Sequence, residues 1–462
     1  MQLSQKQIQH LYWRTGFGIS YSDCEERTGW ESVRIYDEIW KSAEAYAPLN
    51  TLDIDHWLSK PLRKGASKEK QEQYHGDRRD TVKRLNRIWF DQMLKPQADL
   101  REKMSLFWHD HFACAENNPY LAQGLVNTIR EYSLGNFRTL LLGVSKHPAM
   151  IGYLNNQQNR KANPNENFGR ELLELFTIGK GNYTESDIKE AARAFTGWQF
   201  RLAEDWEFYF NEEEHDEEIK VFMNESGPFG GEDIINILLA RKETAEFIAQ
   251  KVYRYLIKEE IDKRHVSEIS SKFYDSGYEI KALLDAIFLS DWFYNDEVIG
   301  AKMKTPHEYL IGLTRVLNVQ YPKQYPINYI QELLGQELFY PPNVGGWPKG
   351  MEAINNFTLL FRMKLPEMML EGAEIGKRTE FLATDDYLHI YHRITGTTDV
   401  TAIYERFEGK DERATNQELA NHLLQPGAKG ISLEPGVWWS SRETAFIDNL
   451  KLLLQSPEYQ LC

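Results

Sequence analysis

The sequence has few cysteines and no pattern that would join them. Three occur in 462 residues, Cys24, Cys114 and Cys462, with no Cys-x-x-Cys pair and no even-numbered framework. Disulfide scaffolds and zinc knuckles both need such spacings, so neither class of protein is expected. The sequence also lacks a run of about eighteen consecutive apolar residues, the length of a membrane-spanning helix. We therefore expect a soluble chain without membrane insertion.

An excess of positive charge is missing as well. The chain has 54 Lys and Arg residues against 69 Asp and Glu residues, which gives a formal net charge of −15. A molecule with this charge is repelled by the phosphates of DNA and RNA. Nucleic acid is therefore not an expected ligand.

Residues 1–18 do not contain the apolar stretch of a secretory signal. They mix polar, charged and aromatic side chains, whereas a signal peptide has a continuous apolar region of about 7 to 15 residues. From the chain as given, the expected location is cytoplasmic.

The common catalytic signatures are also missing. The sequence has no GxSxG elbow, no P-loop, no GxGxxG after a strand and no HExxH. Two Glu-x-x-His spacings occur, Glu72 to His75 and Glu212 to His215, but they lie in charged segments and not on the inward faces of bundle helices. A carboxylate-bridged di-metal centre is therefore not expected.

Helical periodicity dominates what is present. Apolar residues recur three or four positions apart in several segments, as in the stripe of Ala245, Ile248, Val252 and Leu256. Residues 198–222 instead alternate ring and polar side chains loosely, which favours a minor β-hairpin. We predict an all-α (mainly α) protein with a large multi-helix, bundle-like core. The expected division is a core domain of residues 1–365 and an appended helical C-terminal region, residues 366–462, packed on it.

His109 and His111 lie in an aromatic run, residues 106–112, where a buried polar head needs a partner. On a continuous helix, side chains two positions apart point about 200° away from each other. The two imidazoles could therefore ligate one metal ion only if the helix ends or bends there. The alternative is a pair of hydrogen-bonded core histidines.

A second polar segment, residues 163–176, begins with Asn and Pro and then packs several charges among leucines. Glu166, Arg170 and Glu174 are spaced at i, i+4 and i+8, and Asn167, Glu171 and Glu174 lie on an overlapping face. Because the apolar residues would bury much of this helix, some carboxylates would need Arg170, a metal ion or a proton. The alternative is a surface ladder of Glu-Arg-Glu ion pairs.

Several segments, taken together, resemble the bacterial family known as domain of unknown function 1800. The longest of them reads NENFGRELLELFTIG and is followed by YTESDIKEAARAFTGW. The resemblance rests on residues 14–18, 107–112, 147–150, 165–179, 183–198 and 343–350, and on His215, Asp216 and Lys220.

This resemblance implies an all-helical core but no established activity. Family members usually have a His where this chain has Phe176, so the chain departs from a metal site that uses that position. Many members look exported, which keeps a periplasmic location open. Many are also encoded near an alkaline-phosphatase-like protein, and a protein partner with that fold is therefore one expectation.

Two functions remain open from the sequence. In the first, His109, His111, Glu171, Glu174 and His215 converge on one divalent metal ion or on a metal-free acid and base, with Arg170 and Asn167 orienting the carboxylates. Such a site would serve a hydrolase acting on an ester, phosphoester or glycosidic bond. In the second, the same residues form a buried polar network in a non-catalytic interaction or assembly module.

Overall fold

The computed structural model describes residues 1–50, 67–97, 99–201, 206–319, 321, 325–370, 374–375, 392–393, 412–425 and 442–462. Helices dominate these residues, which confirms the predicted mainly α class. No helix among them is both long and apolar enough to cross a membrane.

The helices follow one another with short connections. They are α1 (Gln5–Thr15), α2 (Tyr21–Arg27), α3 (Ser32–Glu44), α4 (Lys68–Met93), α5 (Asp99–His111), α6 (Pro119–Tyr132), α7 (Phe137–Ser145), α8 (Pro148–Tyr153), α9 (Asn167–Glu171), α10 (Glu185–Ala194), α11 (Gly231–Leu239), α12 (Lys242–Leu256), α13 (Lys263–Asp275), α14 (Ile280–Phe288), α15 (Pro306–Val316), α16 (Tyr325–Leu334), α17 (Asn356–Leu370), α18 (Glu412–Leu423) and α19 (Arg442–Gln455). A π-helical turn, Leu172–Thr177, continues α9 and is called the π-turn below.

Capping side chains fix several helix starts. Thr184 accepts a hydrogen bond from the Asp187 amide, and the Asp187 carboxylate accepts one from the Thr184 amide, so both orphan donors are satisfied. The same reciprocal arrangement joins Thr305 to Glu308 at the start of α15. Helix starts of this kind can be found directly from sequence.

The predicted hairpin region contains two antiparallel pairs. In the first, β1 (Trp198–Phe200) pairs with β2 (Phe208–Phe210), with Trp198 opposite Phe210. In the second, β3 (Lys220–Phe222) pairs with β4 (Glu225–Gly227) through Met223 and Asn224, whose φ angles of 49° and 68° suit a tight hairpin turn. The short 3-10 turn Glu212–Glu214 lies between the pairs. A third pair, β5 (Glu374–Ile375) with β6 (His392–Arg393), lies further along the chain.

Helix α5 lies between two apolar clusters, and this placement positions the candidate site. Leu100, Met104 and Trp108 belong to the cluster formed with α1, α3, α6, α7 and the helices from α10 to α14. Leu106 belongs to the other cluster, formed with α4, α15, α16, α17 and the C-terminal helices. Every α5 residue except Asp110 is buried. A helix enclosed on all sides must satisfy its polar side chains inside the protein.

The last residues of the chain contact its first helix. Arg14 donates to the carbonyl of Cys462 over 2.5 Å, and Lys304 donates to the carbonyl of Tyr459 over 2.6 Å. The expected domain boundary after residue 365 falls inside α17. The division into two domains itself stays a prediction.

Candidate functional site

His109 lies near the C-terminal end of α5 and is buried among rings. Its Nε2 accepts a hydrogen bond from the Phe339 amide over 3.3 Å, and its Nδ1 has no hydrogen-bond partner. The ring packs against Trp89 and Trp347, with centroids 5.2 and 5.6 Å away. Burial, with a smaller effect from His307, lowers the pKa of His109 to about 3. The imidazole is therefore neutral at physiological pH.

His111 joins the end of α5 to the π-turn. Its Nε2 lies 3.1 Å from the carbonyl oxygen of Phe176, which can only accept, so this nitrogen carries the proton. Its Nδ1 is then an acceptor for the Lys251 ammonium, 3.2 Å away. Burial, followed by the charge of Lys251, lowers the pKa of His111 well below its usual value. Both ring nitrogens are engaged, which fixes the tautomer.

Lys251 of α12 binds the same turn. Its Nζ donates to the carbonyl of Leu175 over 2.7 Å, in addition to its contact with His111. Burial, followed by the nearby charge of Lys349, lowers the pKa of Lys251 to about 7. The last carbonyls of a helix have no partners within it, and a cation there also interacts favourably with the helix dipole. Lys251 and His111 therefore cap the C-terminal end of the π-turn.

Asp110 holds the Pro- and Gly-rich loop, residues 341–350, against α5. Its carboxylate accepts from the Trp347 amide over 2.8 Å and pairs with Lys349 over 2.9 Å. A Cβ atom on Gly346 would lie 2.2 Å from the Asp110 carboxylate, and Gly346 has a φ of 89°. Only glycine suits both requirements. The loop is therefore an ordered turn that anchors Trp347.

Glu174 lies on the π-turn, and its carboxylate is held by two donors. Tyr183 donates its hydroxyl hydrogen over 3.0 Å, and the Lys180 ammonium lies 2.7 Å away. The hydrogen bond from Lys180 is the largest influence on the pKa of Glu174, and the net effect lowers it below its ordinary value. Glu174 is therefore an oriented, ionised carboxylate.

Glu171 is the last residue of α9, three positions before Glu174, and its environment acts in the opposite direction. It is half-buried and forms no hydrogen bond or ion pair with the described residues. Desolvation, followed by the negative charge of Glu174, raises the pKa of Glu171, and Arg170 and Lys180 offset only part of this. Glu171 therefore holds its proton to a higher pH than an exposed glutamate does.

Arg170 and Asn167 lie nearer the solvent. Arg170 pairs with Glu166 and Glu185, each over 3.0 Å. Asn167 is exposed, and its amide donates to the side chain of Asn165 over 3.0 Å. The structure thus gives Arg170 a surface ladder with Glu166, as the alternative sequence interpretation expects, while its contribution to Glu171 is electrostatic.

His215 is tied to a different part of the fold. Its Nδ1 lies 2.9 Å from the carbonyl of Thr196, and its ring packs edge-on against Phe210 of β2. Its neighbour Asp216 pairs with Arg193 over 2.7 Å. His215 therefore braces the turn after α10, and no contact joins it to the π-turn among the described residues.

The structure brings the two predicted segments together through His111 and the π-turn. The partners of the imidazoles are main-chain groups and Lys251, whereas Glu171 and Glu174 lie on the turn that His111 caps. Among the described residues, no three His, Cys, Asp or Glu side chains are grouped as a metal site would require.

Three residues of the site are not singled out by sequence patterns. Lys251 follows an apolar stripe of α12 and reads as a solvated position, and Lys349 and Tyr183 have no distinctive spacing. Asp110 stands between the two histidines, so the aromatic run itself already pointed to its neighbourhood.

Comparisons with known proteins identify a family but no relative with a described activity. No curated protein and no solved structure matches the chain. One family model, described as protein of unknown function (DUF1800), matches residues 10–461, nearly the whole chain. The chain therefore belongs to the DUF1800 family, as its helical segments and its π-turn motif indicated.

Proposed function

We propose that the chain is a hydrolase-like enzyme in which Glu171 and Glu174 act as a metal-free acid and base. The observation that carries this proposal is their placement three residues apart, at the junction of α9 and the π-turn, in environments that move their pKa values in opposite directions. Pairs of carboxyl groups separated in this way are the usual acid and base of hydrolytic enzymes.

The contacts give each carboxyl group a role. Glu171, without a cationic hydrogen-bond partner, retains its proton and can donate it to a leaving group. Glu174, held by Tyr183 and Lys180, stays ionised and can accept a proton from water or stabilise positive charge. Both side chains are half-exposed, so a substrate can reach them. The substrate class is an ester, phosphoester or glycosidic bond.

The described residues do not favour the version of this site that uses a divalent metal ion. Both ring nitrogens of His111 are engaged, and His215 is bound to Thr196. Only Nδ1 of His109 lacks a partner, and it lies among Trp and Phe rings. No step of the proposed reaction is therefore assigned to a metal ion.

The test is a panel of 4-nitrophenyl esters, phosphates and glycosides assayed with three variants. Glu171→Gln and Glu174→Gln should each reduce kcat by about 100-fold or more on any substrate that turns over. Glu166→Gln is the matched control, because Glu166 lies on the same segment and pairs only with Arg170. Full activity in both the Glu171→Gln and the Glu174→Gln proteins, with unchanged melting temperatures, would refute the proposal.

A second function, a non-catalytic assembly module, has its own supporting observation. Helix α17 exposes Phe357 and Leu360 by 57% and 60%, and Met351 before it is 70% exposed. Exposed apolar side chains close together on one helix favour a protein contact. Co-elution of the chain with an alkaline-phosphatase-like protein, abolished by Leu360→Asp and retained by Glu171→Gln, would support this function and not the first.

A further inference from the structure

A large cavity lies at the end of α5 opposite the candidate site. Its volume is about 920 Å³, and it is bounded by α1, the loop after it, α15 and the C-terminal helices. Asp99, the first residue of α5, lines it, whereas His111 ends the same helix. Thirteen helical residues span roughly 18 Å. The cavity is thus separate from Glu171 and Glu174.

Apolar groups form most of the cavity wall. Aromatic side chains come from α1 and the loop after it, and aliphatic ones come from α15 and the C-terminal helices; they include Trp13, Phe17, Ile19, Val316, Leu423 and Leu450. Water gains little from such walls, and an empty apolar space of this volume costs stability. A space of about 300 to 1,000 Å³ with these walls is typical of a small-molecule site.

The charged side chains of the wall already have partners of opposite charge. Arg315 pairs with Asp99 over 2.6 Å, and Arg27 lies 3.5 Å from Asp23. Glu38 lies 3.6 Å from Arg34, which is outside the cavity. A charged ligand would have to break one of these pairs or remain unpaired in an apolar space, and both cost free energy.

The polar uncharged groups are also satisfied within the protein. Gln9 spans the wall between His422 at 3.0 Å and Gln425 at 2.9 Å. The hydroxyls of Thr15 and Thr314 donate to main-chain carbonyls one turn earlier in their helices. Recognition in this cavity therefore depends on shape and apolar area more than on new hydrogen bonds.

We propose that this cavity binds an uncharged, mainly apolar small molecule. Its volume, its aromatic and aliphatic walls and the pairing of all its described charged groups select this chemical class. The cavity is independent of the proposed hydrolytic site, so binding there does not require Glu171 or Glu174.

Two fluorescent probes of nearly the same shape test the proposal. N-phenyl-1-naphthylamine is uncharged, and 1-anilinonaphthalene-8-sulfonate adds a negative charge to the same ring system. The full chain should bind the uncharged probe with one site per molecule and the sulfonate at least about tenfold more weakly. Equal or tighter binding of the sulfonate, or no saturable binding of the uncharged probe, would overturn the proposal.

Cavity-filling variants locate the binding site. Val316 and Ile19 are half-buried residues of the wall, so Val316→Trp and Ile19→Trp should each weaken binding of the uncharged probe by about tenfold or more. Leu360→Trp, on the exposed face of α17, is the matched control and should leave binding unchanged. The two cavity variants lie on different segments, so a folding defect in one leaves the other informative. Loss of binding in Leu360→Trp alone would place the probe on α17 and contradict the proposal.

Discussion

His109, Asp110 and His111 are neighbours in sequence, yet each has a different set of partners. His109 receives a main-chain hydrogen bond among rings, Asp110 anchors the loop that carries Trp347, and His111 caps the π-turn. The aromatic run around them predicted that they would be buried and would need partners. It could not predict the partners, because Phe339 and Lys251 are 230 and 140 residues away.

Replacing His109 should reduce the loss of stability in acid. The folded-state pKa of His109 lies near 3, below the ordinary value of 6.5, so the unfolded state takes up a proton first as the pH falls. Stability from this group is complete above pH 6.5 and is lost as the pH falls toward 3, by up to about 1.4 kcal/mol per pH unit. His109→Gln keeps an acceptor for the Phe339 amide and should give a shallower pH dependence in urea unfolding.

His75 provides the control for this measurement. It is exposed on α4, so His75→Gln should leave the pH dependence of the wild type unchanged. If His109→Gln follows the wild-type curve throughout this range, the neutral, buried state of His109 is wrong.

At the scale of elements, the π-turn separates what periodicity can predict from what it cannot. Spacing on a regular α-helix correctly placed Glu166 and Arg170 within pairing distance. The wider turn after Glu171 depends on Lys251 and His111, which satisfy carbonyls that a regular helix ending would leave open. These residues come from other helices, so the local sequence contains no signal for the turn. The capping box at Thr184, in contrast, is local and was found.

Removing the Lys251 ammonium should loosen the π-turn. Lys251→Met leaves the carbonyl of Leu175 without its donor, and such a loss costs about 1 to 3 kcal/mol. Hydrogen exchange of the amides from residue 172 to residue 178 should become faster. Lys272→Met is the control, since Lys272 is 54% exposed in its side chain and pairs with Glu268 on the surface of α13. Unchanged exchange in the Lys251→Met protein would show that the turn is stable without its cap.

At the scale of the whole molecule, apolar periodicity was sufficient to predict the fold class, because most helices bury one face in one of two clusters. The buried charges are a different matter. Lys103 and Lys302 both donate to the Glu308 carboxylate, and all three side chains are buried. They connect α5 to the segment around α15, and nothing in the local sequence marks Lys103 as a buried cation.

Breaking this ion cluster should destabilise the whole protein. Glu308→Gln would leave two buried ammonium groups without a carboxylate, at a cost of about 3 to 5 kcal/mol in the free energy of unfolding. Glu232→Gln breaks the half-exposed pair with Lys146 and should cost less than about 1 kcal/mol. Chemical denaturation of both variants provides the comparison. Equal costs would mean that the Glu308 cluster is hydrated.

The measurement that tests the central claim most directly is the titration of Glu171 and Glu174 themselves. Carboxyl carbon NMR of protein labelled at glutamate, assigned with Glu171→Gln and Glu174→Gln, reports the pKa of each side chain. The account predicts a pKa above the ordinary glutamate value for Glu171 and below it for Glu174. It also predicts that Glu174→Gln lowers the pKa of Glu171, because the negative charge of Glu174 is one cause of its elevation. Equal, ordinary pKa values that do not respond to substitution of the partner would contradict an acid and base pair on the π-turn.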